Sequence, residues 1–122
     1  MVIKKVGIIG AGSMGSAIAE VMAYNGIDVV LKDQNLELTN KGMKNIERIL
    51  NDFNKYLKER PLKEIDKIEK LGIKLNEDQK NQLIKNMGST VDSDAIIKRI
   101  KLTDGYDLFE DCDLIIEAIL ED

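Results

Sequence analysis

The segment GAGSMG places Gly10, Gly12 and Gly15 in the spacing G-x-G-x-x-G, between an apolar run and an amphipathic one. Each glycine has its own task in holding a diphosphate. Gly10 permits a tight turn, Gly12 lets the phosphates approach the backbone where a Cβ would stand, and Gly15 allows close packing of helix on strand. The N–H groups of the first helical turn, around Gly12, Ser13 and Met14, then face the anion together with the positive end of the helix dipole. A lone acid, Asp33, follows Gly15 by 18 residues. This is close to the spacing of about 20 expected of the carboxylate that accepts hydrogen bonds from both hydroxyls of an adenosine ribose. Such a carboxylate repels a 2′-phosphate, which favours NAD(H) over NADP(H), although Lys32 next to it could partly offset the repulsion. Taken structurally, the same residues make a tight corner and a strand-end turn. Motif, spacing and setting together favour the dinucleotide.

The remaining composition removes other chemistries. The chain has no histidine, so proton transfer near neutral pH would fall to a shifted Asp, Glu, Lys or Tyr, or to a residue outside it. No catalytic residue is assigned. Cys112 is the only cysteine, which rules out an internal disulfide, fits a reducing cytoplasm, and reads as a small buried residue. With no histidine and one cysteine there is no metal site of the His or Cys type. The net charge of −4 argues against a nucleic-acid partner, and no apolar run approaches the length of a membrane span.

The elements that must hold these residues follow from periodicity. Val2 to Gly10 is apolar and β-branched toward its end, as in a strand covered on both faces. From Ser13, the residues Met14, Ala17, Ile18, Val21 and Met22 fall on one helical face, stopped by Asn25-Gly26. Ile27 to Leu31 is a second strand, completing a βαβ unit. A helical excursion spans residues 36 to 97. Met43, Ile46, Leu50, Phe53 and Leu57 stripe one helix until Arg60-Pro61 breaks it. A second helix runs Leu62 to Leu71, and a third starts at the N-cap Asn76, with Gln79 three residues on. Gly42 costs its helix about 1 kcal/mol relative to Ala, which places the helix start near Asn40. Arg99 to Thr103 is a third strand nearer an edge, Tyr106 to Asp111 a short helical turn or loop, and Leu114 to Ile119 a fourth strand. The fold class is α/β: a partial Rossmann-type parallel sheet of about four strands, with a helical hairpin excursion between strands two and three.

KKVGIIGAGSMGSAIAEVMAYNGIDVVLKD, followed by KGMKNIERIL, the helical hairpin and CDLIIEAILED, resembles the N-terminal NAD-binding domain of the (S)-3-hydroxyacyl-CoA dehydrogenases. The likeness runs the whole length of the chain. It implies NAD lying over Gly10, Ala11, Gly12, Ser13, Met14 and Gly15, with its adenosine ribose at Asp33. It also implies that Ala118 and Ile119 pass beside the cofactor and that Glu121 contacts its nicotinamide side. Glu117, a charge within an apolar strand, reads equally as a site residue or as a paired strand residue. The family oxidises a 3-hydroxyacyl-CoA to the 3-oxoacyl-CoA, using a histidine oriented by a glutamate. Both lie further along than this chain extends, as does a C-terminal helical domain for substrate and dimerisation.

Residues 1–122 are accordingly expected to be the N-terminal part of a dinucleotide-binding domain, binding NAD weakly at best and catalysing nothing alone. Lys41 to Lys74 holds ten Lys and Arg against six Asp and Glu, and the resemblance sets this segment beside the coenzyme A of an acyl-CoA substrate. A solvated helix face is the plainer reading of those charges. An edge strand ending near Asp122 would expose Leu114 to Ile119 and drive homo-oligomerisation. Two rival readings stand beside this one: a 3-hydroxyacid or pyrroline-carboxylate type reductase, whose glycine turn is similar, and a stand-alone nucleotide-binding or assembly module without catalysis.

Overall fold

The computed structural model describes residues 2–119. In chain order the elements are β1 (Lys5–Ile9), α1 (Ser13–Tyr24), β2 (Asp28–Lys32), α2 (Leu36–Lys70), α3 (Glu77–Met87), α4 (Ser93–Lys98), β3 (Ile100–Thr103), a 3₁₀ turn (Asp107–Phe109) and β4 (Leu114–Glu117). They form two compact units, one from the residues up to 50 with those from 92 on, the other Asn51–Val91. No helix among the described residues is long and apolar enough to cross a membrane.

The first unit is built on a four-stranded parallel sheet in the order β3-β2-β1-β4. This is a Rossmann-type arrangement, in which the chain winds outward from β1 in both directions and a crevice opens at the carboxyl ends of β1 and β4. Val6, Ile8, Val29, Val30 and Leu31 are buried, with Ala19 and Ala23 of α1 and Ile46 and Leu50 of α2. Consecutive buried residues in β2 mark a strand covered on both faces. The register aligns Ile9 with Lys32 and Glu117, and Lys32 with Thr103, so the four strands end level.

β1 is shorter than the expected Val2 to Gly10. At its start the Asp113 carboxylate accepts the N–H groups of Lys4 and Lys5, at 2.8 and 3.1 Å, and at its end Gly10 turns to a φ of 109°. β4 stops at Glu117, although Ala118 N–H still reaches the Ile9 carbonyl at 2.7 Å. Two further elements differ from the sequence expectation. α2 begins at Leu36, with Asn35 accepting the Leu38 N–H at 2.9 Å, ahead of the expected Asn40. The short helix α4, capped by the Asp92 carboxylate on the Ala95 N–H, has no counterpart in the periodicity of the sequence.

In the second unit α2 does not break at Arg60-Pro61 but continues to Lys70 with Pro61 inside. A proline there removes one backbone hydrogen bond and costs about 3 kcal/mol in an isolated helix. Burial offsets the loss: Pro61 is fully buried and Gly88, at the end of α3, lies against its ring. The inward stripe therefore runs Phe53, Leu57, Pro61, Ile65, Ile68, with Pro61 and Ile65 buried and the others half-buried, whereas Leu62 and Leu71 are exposed. α3 starts at the predicted N-cap, where Asn76 and Gln79 form a reciprocal capping box with hydrogen bonds of 2.8 and 3.0 Å.

Candidate functional site

The turn between β1 and α1 is shaped by what its glycines leave out. A Cβ on Gly15 would fall 1.7 Å from the Gly10 carbonyl oxygen, and one on Gly10 would fall 2.7 Å from that of Ala118. Helix, turn and β4 thus meet at backbone distance. Gly12 differs, since a Cβ there would meet nothing within 4 Å. Its open side faces a cleft of about 400 Å³ at the carboxyl ends of the strands, lined in part by Gly10, Gly12, Ser13 and Met14. No side chain caps the first turn of α1, for which Gly12 is the N-cap residue. The amide groups there stay available to an anion, with the dipole of a 12-residue helix behind them.

Asp33 is fixed by backbone alone. Its Oδ2 accepts the Ala11 N–H at 2.8 Å and its Oδ1 the Gln34 N–H at 2.7 Å. Each carboxylate oxygen keeps a further lone pair for an incoming hydroxyl. The carboxylate thereby joins the β2 end to the glycine turn and contributes to the same cleft wall.

A second layer holds the turn in place. The Ser16 hydroxyl, fully buried, donates to the Gly12 carbonyl at 2.7 Å and accepts from Asn45 Nδ2 at 2.6 Å, tying α1 to α2. Gly42 of α2 approaches Ala11 so closely that a Cβ would lie 2.7 Å from the Ala11 carbonyl oxygen. By propensity Gly42 is only a helix penalty; its spacing of four from Ile46, on the apolar face of the helix, is the signal that the sequence offers.

The structure brings Gly10, Gly12, Ser13, Met14, Asp33, Ala118 and Ile119 together around one cleft. Ala11 and Gly15 lie behind its wall as hydrogen-bond donor and packing contact. Glu121 lies outside the described residues, and Glu117 is exposed at the end of β4 and does not line the cleft. Tyr106, which no motif in the sequence marks, completes the cleft together with Lys32. The Lys32 ammonium sits 4.3 Å from the centre of the Tyr106 ring. Cys112 is half-buried, and burial pushes its thiol above the ordinary range, as in an inert structural cysteine.

This arrangement can cradle a diphosphate on backbone amides and grip a vicinal diol with a carboxylate. Known proteins resemble this chain in sequence and in fold. The family model described as 3-hydroxyacyl-CoA dehydrogenase, NAD binding domain, matches residues 5–72. Over 118 residues, 96% of the chain, the sequence is 34% identical to a probable 3-hydroxybutyryl-CoA dehydrogenase of Deinococcus radiodurans. Over 120 residues, 98% of the chain, it is 32% identical to a 3-hydroxybutyryl-CoA dehydrogenase of Bradyrhizobium diazoefficiens. The chain spans 31% of the length of each of these relatives. Among solved structures, (S)-3-hydroxybutyryl-CoA dehydrogenase PaaH1 from Ralstonia eutropha superposes with a TM-score of 0.63 at 29% identity, covering 99% of this chain and 32% of that one. FadB2 of M. tuberculosis gives 0.59 at 26% identity, covering 100% and 33%.

Proposed function

The chain belongs to the family of NAD-binding domains of 3-hydroxyacyl-CoA dehydrogenases, with NAD as its cofactor, and from that premise we propose the contacts and the reaction it serves. The diphosphate of NAD lies over Gly10 to Gly15 and takes the N–H groups of Gly12, Ser13 and Met14. Asp33 accepts from both hydroxyls of the adenosine ribose, Ala118 and Ile119 pass beside the cofactor, and the family resemblance assigns Glu121 to its nicotinamide side. The observation that carries this reading is the pairing of an open Gly12 with an Asp33 carboxylate pinned by Ala11 and Gln34.

When bound, NAD accepts a hydride, and the reaction this supports is oxidation of an (S)-3-hydroxyacyl-CoA to the 3-oxoacyl-CoA. The residues of this chain bind and orient the cofactor. A sequence without histidine supplies no ordinary base for the hydroxyl proton, so we assign that step to a His–Glu pair outside residues 1–122 and expect no turnover from these residues alone. The acyl-CoA partner is read from the relatives' chemistry. Part of the basic excursion is engaged internally, since Lys67 pairs with Glu64 at 3.5 Å and Lys70 with Asp66 at 3.0 Å. The reductase reading loses its support to the family match, which extends from the glycine turn into the excursion. A single cysteine supports a cytoplasmic setting. The outer edge of β4, with Leu114 and Ile115 exposed, supports pairing with a second copy.

Titration with NADH and NADPH tests the cofactor contacts. The wild-type chain should prefer NADH, and Asp33→Ala should weaken NADH by about 100-fold or more, the loss of two hydrogen bonds to a charged acceptor, while NADPH changes less. Equal affinities for NADH in wild type and Asp33→Ala would refute the ribose assignment.

A further inference from the structure

Resting on the cofactor reading above, we propose that Tyr106 sets the discrimination between NAD(H) and NADP(H) by holding the Lys32 ammonium on its ring, away from the Asp33 carboxylate.

Lys32 ends β2, between Ile9 of β1 and Thr103 of β3, and is only 8% exposed. Its chain neighbour Asp33 is the acid that faces the ribose. A cation this close would ordinarily pair with that acid and soften its repulsion of a 2′-phosphate. The structure arranges otherwise. Both Asp33 oxygens are already engaged by backbone N–H groups, and among the described residues Lys32 makes no ion pair with a carboxylate. Its Nζ lies over the Tyr106 ring instead, 4.3 Å from the centroid. The negative face of an aromatic ring attracts an ammonium, and more strongly where water is partly excluded.

Tyr106 itself is held in position. Gly105 donates its N–H to the Thr103 hydroxyl at 3.2 Å, which sets the turn after β3. The Tyr106 ring meets Phe109 edge to face at 5.8 Å and 84°. Phe109 is buried against Gly7 of β1, where a Cβ would fall 3.0 Å from its ring. The ring that receives the Lys32 charge is thus anchored to the sheet, and both residues line the cleft with Asp33.

A 2′-phosphate carries about −1.5 to −2 charge near neutral pH, and it would enter beside a carboxylate whose neighbouring cation in the chain lies over an aromatic face. Removing the ring releases an ammonium on a flexible four-carbon stem, free to turn toward the phosphate. Tyr106 is in this sense a positioning residue, acting through Lys32.

The test measures NADH and NADPH dissociation constants for wild type, Tyr106→Ala, Tyr106→Phe and the double variant Tyr106→Ala/Lys32→Met, each checked for folding by circular dichroism. Tyr106 is 61% exposed, so its truncation leaves the core intact. Tyr106→Ala should shift the affinity ratio toward NADPH by about 3- to 20-fold, the scale of a partly desolvated cation–π contact. The shift should shrink with added salt. Tyr106→Phe keeps the ring and should keep the wild-type ratio, and adding Lys32→Met should abolish the gain. An unchanged ratio in Tyr106→Ala, or a gain that persists without Lys32, would overturn the proposal. No NADH binding by the wild-type chain would remove the cofactor reading, and this inference with it.

Discussion

Gly12 and Gly15 are three residues apart in one motif, yet a methyl group at each meets opposite surroundings. At Gly15 it would collide with the Gly10 carbonyl at 1.7 Å, while at Gly12 it would project into open space beside the cleft. The same substitution therefore separates folding from binding. Gly15→Ala should cost stability on the scale of overpacking, about 1–3 kcal/mol or more. Gly12→Ala, at a φ of −73° that any residue adopts, should stay within about 0.5 kcal/mol of wild type. It should nonetheless weaken NADH by about tenfold, the scale of a disturbed hydrogen bond to a charged group. Thermal melts beside NADH titrations check both, and equal stability losses would contradict the assignment. The sequence made these two roles legible because G-x-G-x-x-G constrains backbone, and backbone constraint is local. Tyr106 was not legible in the same way. It lies in a turn without periodicity, and its nearness to Lys32 arises only when β3 is laid beside β2.

Among the elements, β1 and β4 are joined at their amino ends by side chains as well as by the ladder. The N–H groups of Lys4 and Lys5 hold the Asp113 carboxyl below the ordinary carboxylate range. The Lys5 ammonium, 2.6 Å from Asp111, does the same for that carboxyl and is itself raised by it. A carboxylate whose folded pKa is depressed stabilises the fold fully above its unfolded value, near pH 4, and loses that contribution as pH falls through the lowered folded value. Asp113→Asn should therefore be less stable than wild type at pH 7, with the gap narrowing below about pH 4. Denaturant unfolding across pH reads this directly, and a pH-independent gap would contradict it. The four strands and the capping box of α3 are legible in the sequence, because alternation, apolar runs and cap residues are set by neighbours in the chain. Pro61 and Gly42 misled for a shared reason. Propensity assigns each a cost in an isolated helix, and in the folded chain both sit where packing offsets it. The Phe53–Leu57–Pro61–Ile65 spacing of four carried the continuous helix in plain view, once proline is counted as an apolar residue. α4 was too short, at six residues, for a period to emerge.

At the scale of the molecule, the described sheet is apolar at its centre and unevenly finished at its sides. β3 carries an exposed lysine in its middle, Lys101, which discourages edge pairing, whereas β4 exposes Leu114 and Ile115 beside a backbone edge that is unpaired among the described residues. Unprotected apolar edges pair. Sedimentation of the 122-residue chain should show concentration-dependent association, reduced by Ile115→Lys. A monomer unaffected by concentration would contradict strand pairing. The net charge of −4 is too small to oppose such contacts by long-range repulsion at physiological salt.

In the proposed complex one turn of backbone receives the diphosphate of NAD while Asp33 takes the ribose. The most direct measurement is an amide-resolved NMR titration of the chain with NADH. The largest shifts are expected at the N–H groups of Gly12, Ser13 and Met14, with Ala11 and Gln34 responding through Asp33. Shifts centred on the excursion, or confined to β3 and its edge while Gly12 to Met14 stay silent, would contradict it.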